Sequence, residues 1–285
     1  MKRFLVMALI FFLSFSLCAE NKRIVHFSID DTITVFQHLT KSESKYKTAF
    51  EEPLLKRLRK LHKEFGLKVT LYVFYSYNGF SLEDCTSHFA EDFQKNRDWL
   101  KFAYHSYNEN EVFKNDFENT CKLSIGYDKA IEQLLRITGS ADCISDTARL
   151  HYFKGGKEYV SKIKALLTAD SDSRHSYFLT EVQEKELLQK EKIFDEDTGI
   201  RFYKTDFRLD NPKYFKSLFS QNKDESEIVF FTHEWLLQLR PRKNVFAWVS
   251  GIFLRRKIFS NLKKICEYAK EANLNFVNDL GDFYE

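Results

Sequence analysis

From residue 23 onward, short apolar runs alternate with longer stretches in which apolar residues recur every three or four positions. The short runs predict strands at Ile24–Ile29, Lys68–Phe74, Leu100–Tyr104, Ala148–Phe153, Ile163–Thr168, Ile200–Lys204, Ile228–Thr232 and Asn275–Val277. The longer stretches predict helices at Phe50–Phe65, Phe117–Thr138 and Ser260–Ala272. In the first of these, Leu54, Leu55, Leu58, Leu61 and Phe65 fall on one face. Strand and helix in regular turn imply an α/β fold with a parallel sheet and crossover helices. Seven or eight strands imply one domain in the form of a closed or nearly closed, distorted (β/α)7-8 barrel.

Two segments fall outside that rhythm. Asn78–Asp98 is polar and irregular and reads as an insertion after the second strand. Gln183–Gly199, rich in Glu, Lys and Asp, reads as a solvated helix and turn. Only 3 Pro and 9 Gly against 29 Phe and 14 Tyr favour long regular elements over a loop-rich scaffold.

Residues 1–19 have a different character. Met1-Lys2-Arg3 precedes an apolar run from Phe4 to Leu17, then Cys18-Ala19 and the polar Glu20-Asn21-Lys22-Arg23. This is the three-part pattern of a secretory signal peptide, and the run is short for a bilayer span of about 20 residues. A lipid anchor on Cys18 and an uncleaved anchor are the competing forms. Residues 20–285 then form one exported domain, placed in the periplasm, the cell envelope or outside the cell. Beyond Cys18, Cys85, Cys121, Cys143 and Cys266 remain, as up to two disulfides or as buried thiols.

With 44 basic and 41 acidic residues the net charge is +3, too small to make nucleic acid the expected partner. One stretch is locally basic: Arg240, Arg242, Lys243, Arg255, Arg256 and Lys257 surround Phe246, Trp248, Ile252 and Phe253. It reads as an amphipathic crossover helix, with a lid beside the cleft or a peripheral membrane or cell-envelope contact as alternatives.

In barrels of this kind the chemistry sits at the carboxyl ends of the strands. The first strand ends in Ser28-Ile29-Asp30-Asp31-Thr32 and the third in Tyr104-His105-Ser106-Tyr107-Asn108-Glu109. The fourth contains Arg149-Leu150-His151-Tyr152-Phe153 and the fifth runs into Asp170-Ser171-Asp172. The sixth runs into Asp206, and the seventh reaches His233-Glu234-Trp235. Each alone has a bland reading: a turn, a helix cap, a structural histidine, a surface ion pair. Together, so many ionisable groups at strand ends are costly unless they pair or bind a metal. Neighbours along a strand point to opposite faces, so Asp30 and Asp31 share a site only where the chain is turning. His105 and Glu109 are four apart, and Asp31, His105 and Glu109 would make a three-ligand site with open positions.

These motifs resemble those of the polysaccharide deacetylase family, the NodB-homology carbohydrate esterases, across roughly Ile24 to Phe283. Ser28-Ile29-Asp30-Asp31-Thr32 is similar to the family's T-F-D-D-G. His105-Ser106-Tyr107-Asn108-Glu109 is similar to H-[ST]-x-x-H with Glu in the last place. Arg149-Leu150-His151-Tyr152-Phe153 partly meets R-x-P-x-G, and Phe230-Phe231-Thr232-His233 fits an apolar strand ending in His. The resemblance implies a NodB-type barrel with Asp30 as general base and Arg149 orienting it. It implies Asp31, His105 and Glu109 as ligands of one divalent metal, and His233 as the acid that protonates the leaving amine. It places Tyr152 where a backbone N–H meets the oxyanion, and Asp170 or Asp172 beside His233. Tyr107, Tyr152, Asp170 and Trp235 are the expected substrate-binding residues.

Zinc is the first expectation for the metal. Glu109 in place of a histidine makes the ligand set harder and brings in manganese, cobalt, magnesium or calcium. His151 and Phe153 depart from the family pattern in a way that would narrow the cleft. The resulting expectation is a secreted, metal-dependent hydrolase, acting on C–N but not peptide bonds, that removes N-acetyl groups from amino sugars of a cell-surface or extracellular glycan. The alternatives are a non-catalytic glycan-binding protein on the same barrel, with Trp235, Trp248, Tyr104 and Tyr107 stacking on sugars, and amide hydrolysis on a non-sugar substrate.

Overall fold

The computed structural model describes residues 23–109, 116–155, 157, 163–169, 176–210, 227–238 and 245–280, with backbone alone for 116–125 and 245–250. The expected signal peptide, Asp170, Asp172, Arg240, Arg242 and Lys243 lie outside the described residues, as do the side chains of Phe246 and Trp248.

The chain opens with β1 (Ile24–Thr32), then α1 (Thr34–Lys41) and α2 (Pro53–Phe65), which leads into β2 (Val69–Phe74). Helix α2 starts where Glu52, fully buried, accepts the backbone N–H groups of Leu54 and Leu55 at 2.7 and 2.9 Å, with Pro53 at the first helical position. It stops at Gly66, whose φ of 73° is the left-handed cap that glycine adopts without strain. Its expected apolar face is the buried one: Leu54, Leu55, Leu58 and Leu61.

The segment read as an insertion carries a small hairpin, β3 (Ser76–Tyr77) and β4 (Phe80–Ser81), and α3 (Ala90–Lys95). There follow β5 (Leu100–Ser106), α4 (Asp116–Thr138), β6 (Thr147–Ala148) and β7 (Ala165–Leu167). Next come α5 (Glu181–Lys190), β8 (Lys192–Asp195), β9 (Ile200–Tyr203), β10 (Phe207–Arg208) and β11 (Glu227–His233). The chain ends with α6 (Glu234–Leu237), α7 (Val245–Glu271) and β12 (Asn275–Val277).

The described strands form two main sheets. One runs β10-β11-β1-β2-β5, all parallel, with β12 on β1; the other runs β6-β7-β9-β8. A parallel bridge, Phe102–Ile144, ties β5 to the segment just before β6. A mostly parallel α/β fold is therefore present, whereas a continuous ring of strands is not seen among the described residues. The strands of the second sheet are only two to four residues long, too short to carry an extended ladder.

Local departures have identifiable causes. The expected strand Ala148–Phe153 stops at Ala148, because Tyr152 and Phe153 both take φ of 56° in a 3-10 turn at His151–Phe153. Gln183–Gly199 becomes most of α5, strand β8 and the turn that leads into its antiparallel partner β9, since Leu187 and Ile193 are apolar enough to bury. Helix α7 begins well before the expected Ser260. Among the described residues no helix is long and apolar enough to cross a membrane. Cys85, Cys143 and Cys266 are buried free thiols, so none of these three is cross-linked.

Candidate metal and acid–base site

Strand β1 supplies two carboxylates to one site by breaking its own alternation. Its register against β2 shifts between Ile29 and Thr32, and Asp31 takes a left-handed φ of 58°. Asp is among the few side chains that tolerate that conformation. Asp30 keeps its place in the strand as the register partner of His233 on β11, while Asp31 turns toward β5 and the turn at His151.

Asp30 is 2% exposed and Arg149 1%. The Arg149 guanidinium donates from Nη1 to both Asp30 oxygens at 3.2 Å and to Ser28 Oγ at 3.0 Å, and from Nη2 to Thr205 Oγ1 at 2.9 Å. Its carbon sits 3.9 Å from the centroid of the Phe231 ring. The two charges offset each other's desolvation and fix the orientation of the Asp30 carboxylate.

His105, also buried, donates Nδ1–H to the Arg149 carbonyl. That hydrogen bond turns the Nε2 lone pair outward. Nε2 lies 3.2 Å from Asp31 Oδ1 and 3.2 Å from His151 Nδ1, and His151 Nδ1 is 3.5 Å from the same Asp31 oxygen. Asp31 Oδ1 is buried, and its geometry to either ring is not that of a hydrogen bond. One ligand atom from each of Asp31, His105 and His151 falls within 4.8 Å of the others. A carboxylate and two imidazoles so placed form a candidate cation site. The donor set of one carboxylate and two imidazoles suits a borderline divalent ion such as zinc.

The electrostatics agree. Burial by itself would raise the Asp31 pKa, but the facing His105 and His151 hold it well below the usual carboxylate range. Burial works to lower the His105 pKa, and Asp31 and Asp30 outweigh it and raise it. His233 moves the other way: burial lowers its pKa, against the partial opposition of Asp30 and Asp31. His233 Nδ1 has no hydrogen-bond partner among the described residues.

Several expected residues are thus brought together: Asp30, Asp31, His105, Arg149 and His233. The third member of the cluster differs from the expected one. Glu109 is exposed on the turn after β5 and stands outside the cluster, and His151 takes the place given to it. His151 stood out in the sequence as a departure from R-x-P-x-G; the left-handed turn that folds it back onto His105 has no signature there. Tyr152 and Trp235 are exposed beside the cluster, with ring centroids 4.1 Å from His151 and 5.5 Å from His233 respectively. Tyr107 is half-buried, stacked on Tyr75 at 4.7 Å.

Two residues after His233 tie the site together, and neither role was expected. Fully buried Glu234 accepts the backbone N–H groups of Ile33, Thr34 and Val35 at 3.0, 2.8 and 2.8 Å, capping α1 just after the Asp30–Asp31 corner. Burial raises its pKa and those three donors oppose the shift. Trp235 Nε1 donates to Asp31 Oδ2 at 3.1 Å.

No family model matches the chain, and no curated protein sequence matches it. Among solved structures, 4-alpha-glucanotransferase from Thermococcus litoralis aligns with a TM-score of 0.50 and 14% identity, over 90% of this chain and 39% of that one. The Bc1960 peptidoglycan N-acetylglucosamine deacetylase aligns with a TM-score of 0.46 and 14% identity, over 91% of this chain and 87% of that one. A candidate polysaccharide deacetylase from Mycobacterium smegmatis gives 0.39 and 14%, over 90% and 94%. At these identities a likeness concerns the fold alone, and the glucanotransferase alignment is the one that carries it.

Proposed function

We propose that the protein is an exported, metal-dependent hydrolase that removes N-acetyl groups from amino sugars of a cell-surface or extracellular glycan. The observation that carries the reading is the pairing of Asp30, held by Arg149, with His233 on the adjacent strand, both beside the Asp31–His105–His151 cluster. A binding protein has no need of a buried carboxylate oriented by arginine opposite a histidine.

In this reading Asp31, His105 and His151 hold the divalent ion. When bound, that ion polarises the acyl carbonyl and makes water a better nucleophile at neutral pH. Asp30 takes the proton of the attacking water, and Arg149 keeps its carboxylate aimed at that task. The Tyr152 N–H, on the left-handed turn, donates to the developing oxyanion. His233 gives a proton to the departing amine, and the neighbouring Asp30 and Asp31 favour its protonated form against the lowering of its pKa by burial. Tyr152 and Trp235 present exposed ring faces on which a sugar can stack.

The test is acetate release from N-acetylated amino-sugar oligomers by the metal-loaded protein. Asp30→Asn should lower turnover by about 100-fold or more while keeping the metal. A protein that binds metal and glycan yet releases no acetate would support the glycan-binding alternative. Unchanged turnover in Asp30→Asn would remove Asp30 from the mechanism.

A further inference from the structure

Helices α2 and α7 pack side by side. Arg57 lies 4.7 Å from the Phe259 ring centroid, Lys263 Nζ is 3.8 Å from Glu64, and Lys263 and Lys270 each sit 5.9 Å from the Phe65 ring. Both helices lead into strands of the main parallel sheet, α2 into β2 and α7 into β12. Such helices start at the carboxyl end of the sheet, so their N-terminal halves lie at the end that carries the site.

Charge is unevenly divided along this pair. In the C-terminal half, Lys263 is met by Glu64 and Glu267. The N-terminal half gathers Lys56 and Arg57 from α2 with Arg255, Arg256 and Lys257 from α7, and among the described residues none of these five forms an ion pair. Arg255 is crowded: burial first, then Arg57 and Arg256, lower its pKa from the usual value. Just before these cations Phe253 is 64% exposed, and the sequence Val245–Leu254 carries no charge at all.

We infer that this end of the α2–α7 pair is a docking surface for an anionic lipid bilayer. Cations clustered beside an exposed aromatic match a headgroup layer above an acyl boundary. A second copy of the chain would bring the same positive charge against it. A soluble polyanion would neutralise the cations but leave Phe253 in water. Because the surface and the site share one end of the sheet, docking turns that end toward the membrane. Resting on the proposed hydrolase reading, the substrate is then an amino sugar displayed at the bilayer surface.

The test is co-sedimentation of the full chain with vesicles of phosphatidylcholine, alone and mixed with phosphatidylglycerol. Wild type should bind the mixed vesicles and release with salt. Each cation near the surface is worth about fivefold in binding, so Arg256→Gln with Lys257→Gln should weaken it about 25-fold. Phe253→Ser should weaken it as well, with circular dichroism unchanged in each variant. Equal binding to neutral vesicles, or binding indifferent to these substitutions, would assign attachment to the N-terminal apolar run and overturn the inference. Binding that needs the cations but not Phe253, and is competed by dextran sulfate, would make the surface a polyanion site instead. His151→Ala should keep vesicle binding, so loss of the hydrolase reading leaves this result standing on its own.

Discussion

Trp235 donates its indole N–H to Asp31 Oδ2, and Asp31 Oδ1 is left to face the imidazoles of His105 and His151. One oxygen of the carboxylate is committed to the protein and the other to the cluster. Partners of this kind typically govern metal affinity by about 10- to 100-fold. Trp235→Phe keeps an aromatic face but loses the donor, and its metal affinity should fall by about tenfold in a chelator competition. Equal affinity in the two proteins would make Trp235 a substrate platform and nothing more.

His151 and Glu109 separate cleanly. His151→Ala should lose metal by about 100-fold or more, whereas Glu109→Ala should retain near-stoichiometric metal by elemental analysis. The reverse pattern would reinstate the ligand at i+4 on the turn after β5.

Glu234 joins the end of β11 to the start of α1 across 200 residues of sequence. Removing the carboxylate strands three backbone donors, one of them within three residues of Asp30. Glu234→Ala should cost about 2–3 kcal/mol in urea unfolding. A loss within experimental error would mean that water replaces the cap.

Asp30 and Arg149 form a buried pair, and breaking it from one side leaves a charge uncompensated. Arg149→Met alone should destabilise by about 3–5 kcal/mol. Adding Asp30→Asn should recover a large part of that loss, and a double-mutant cycle measures the coupling. Additive losses would show that Arg149 acts by filling space.

His26 predicts an acid limit. It is fully buried with Nε2 3.1 Å from the Tyr72 hydroxyl, and burial, followed by the Arg149 charge, lowers its pKa from 6.5 to about 3. The unfolded chain therefore binds a proton that the folded chain refuses between those two values. Stability is fully present above pH 6.5 and falls as pH drops toward 3, by up to about 1.4 kcal/mol per pH unit. Urea midpoints followed across that range should show a shallower acid slope in His26→Gln, and identical slopes would place the protonation elsewhere.

The α/β class, the order of the main strands and the apolar face of α2 were legible because burial imposes a period on the chain, 2 for strands and 3.6 for helices. The strand-end carboxylates, imidazoles and Arg149 were legible because charge at the end of an apolar run is costly without a purpose. The third member of the cluster was not. Spacing proposed Glu109, a neighbour of His105 along the chain, but which side chain joins Asp31 and His105 in the cluster depends on where the backbone turns. Two consecutive left-handed residues, Tyr152 and Phe153, follow His151 in the turn that brings it onto His105.

Tertiary structure also decided how Asp30 and Asp31 are oriented, through the bulge in β1 and the left-handed Asp31. It alone brought Glu234 to the start of α1, Trp235 to Asp31, and the cations of α2 beside those of α7. Each of these depends on contacts between segments far apart in sequence. A periodic pattern records which residues a segment buries, not which distant polar atom will meet them, and so the sequence determined the elements and the inventory of chemistry while the packing of strand ends determined the site.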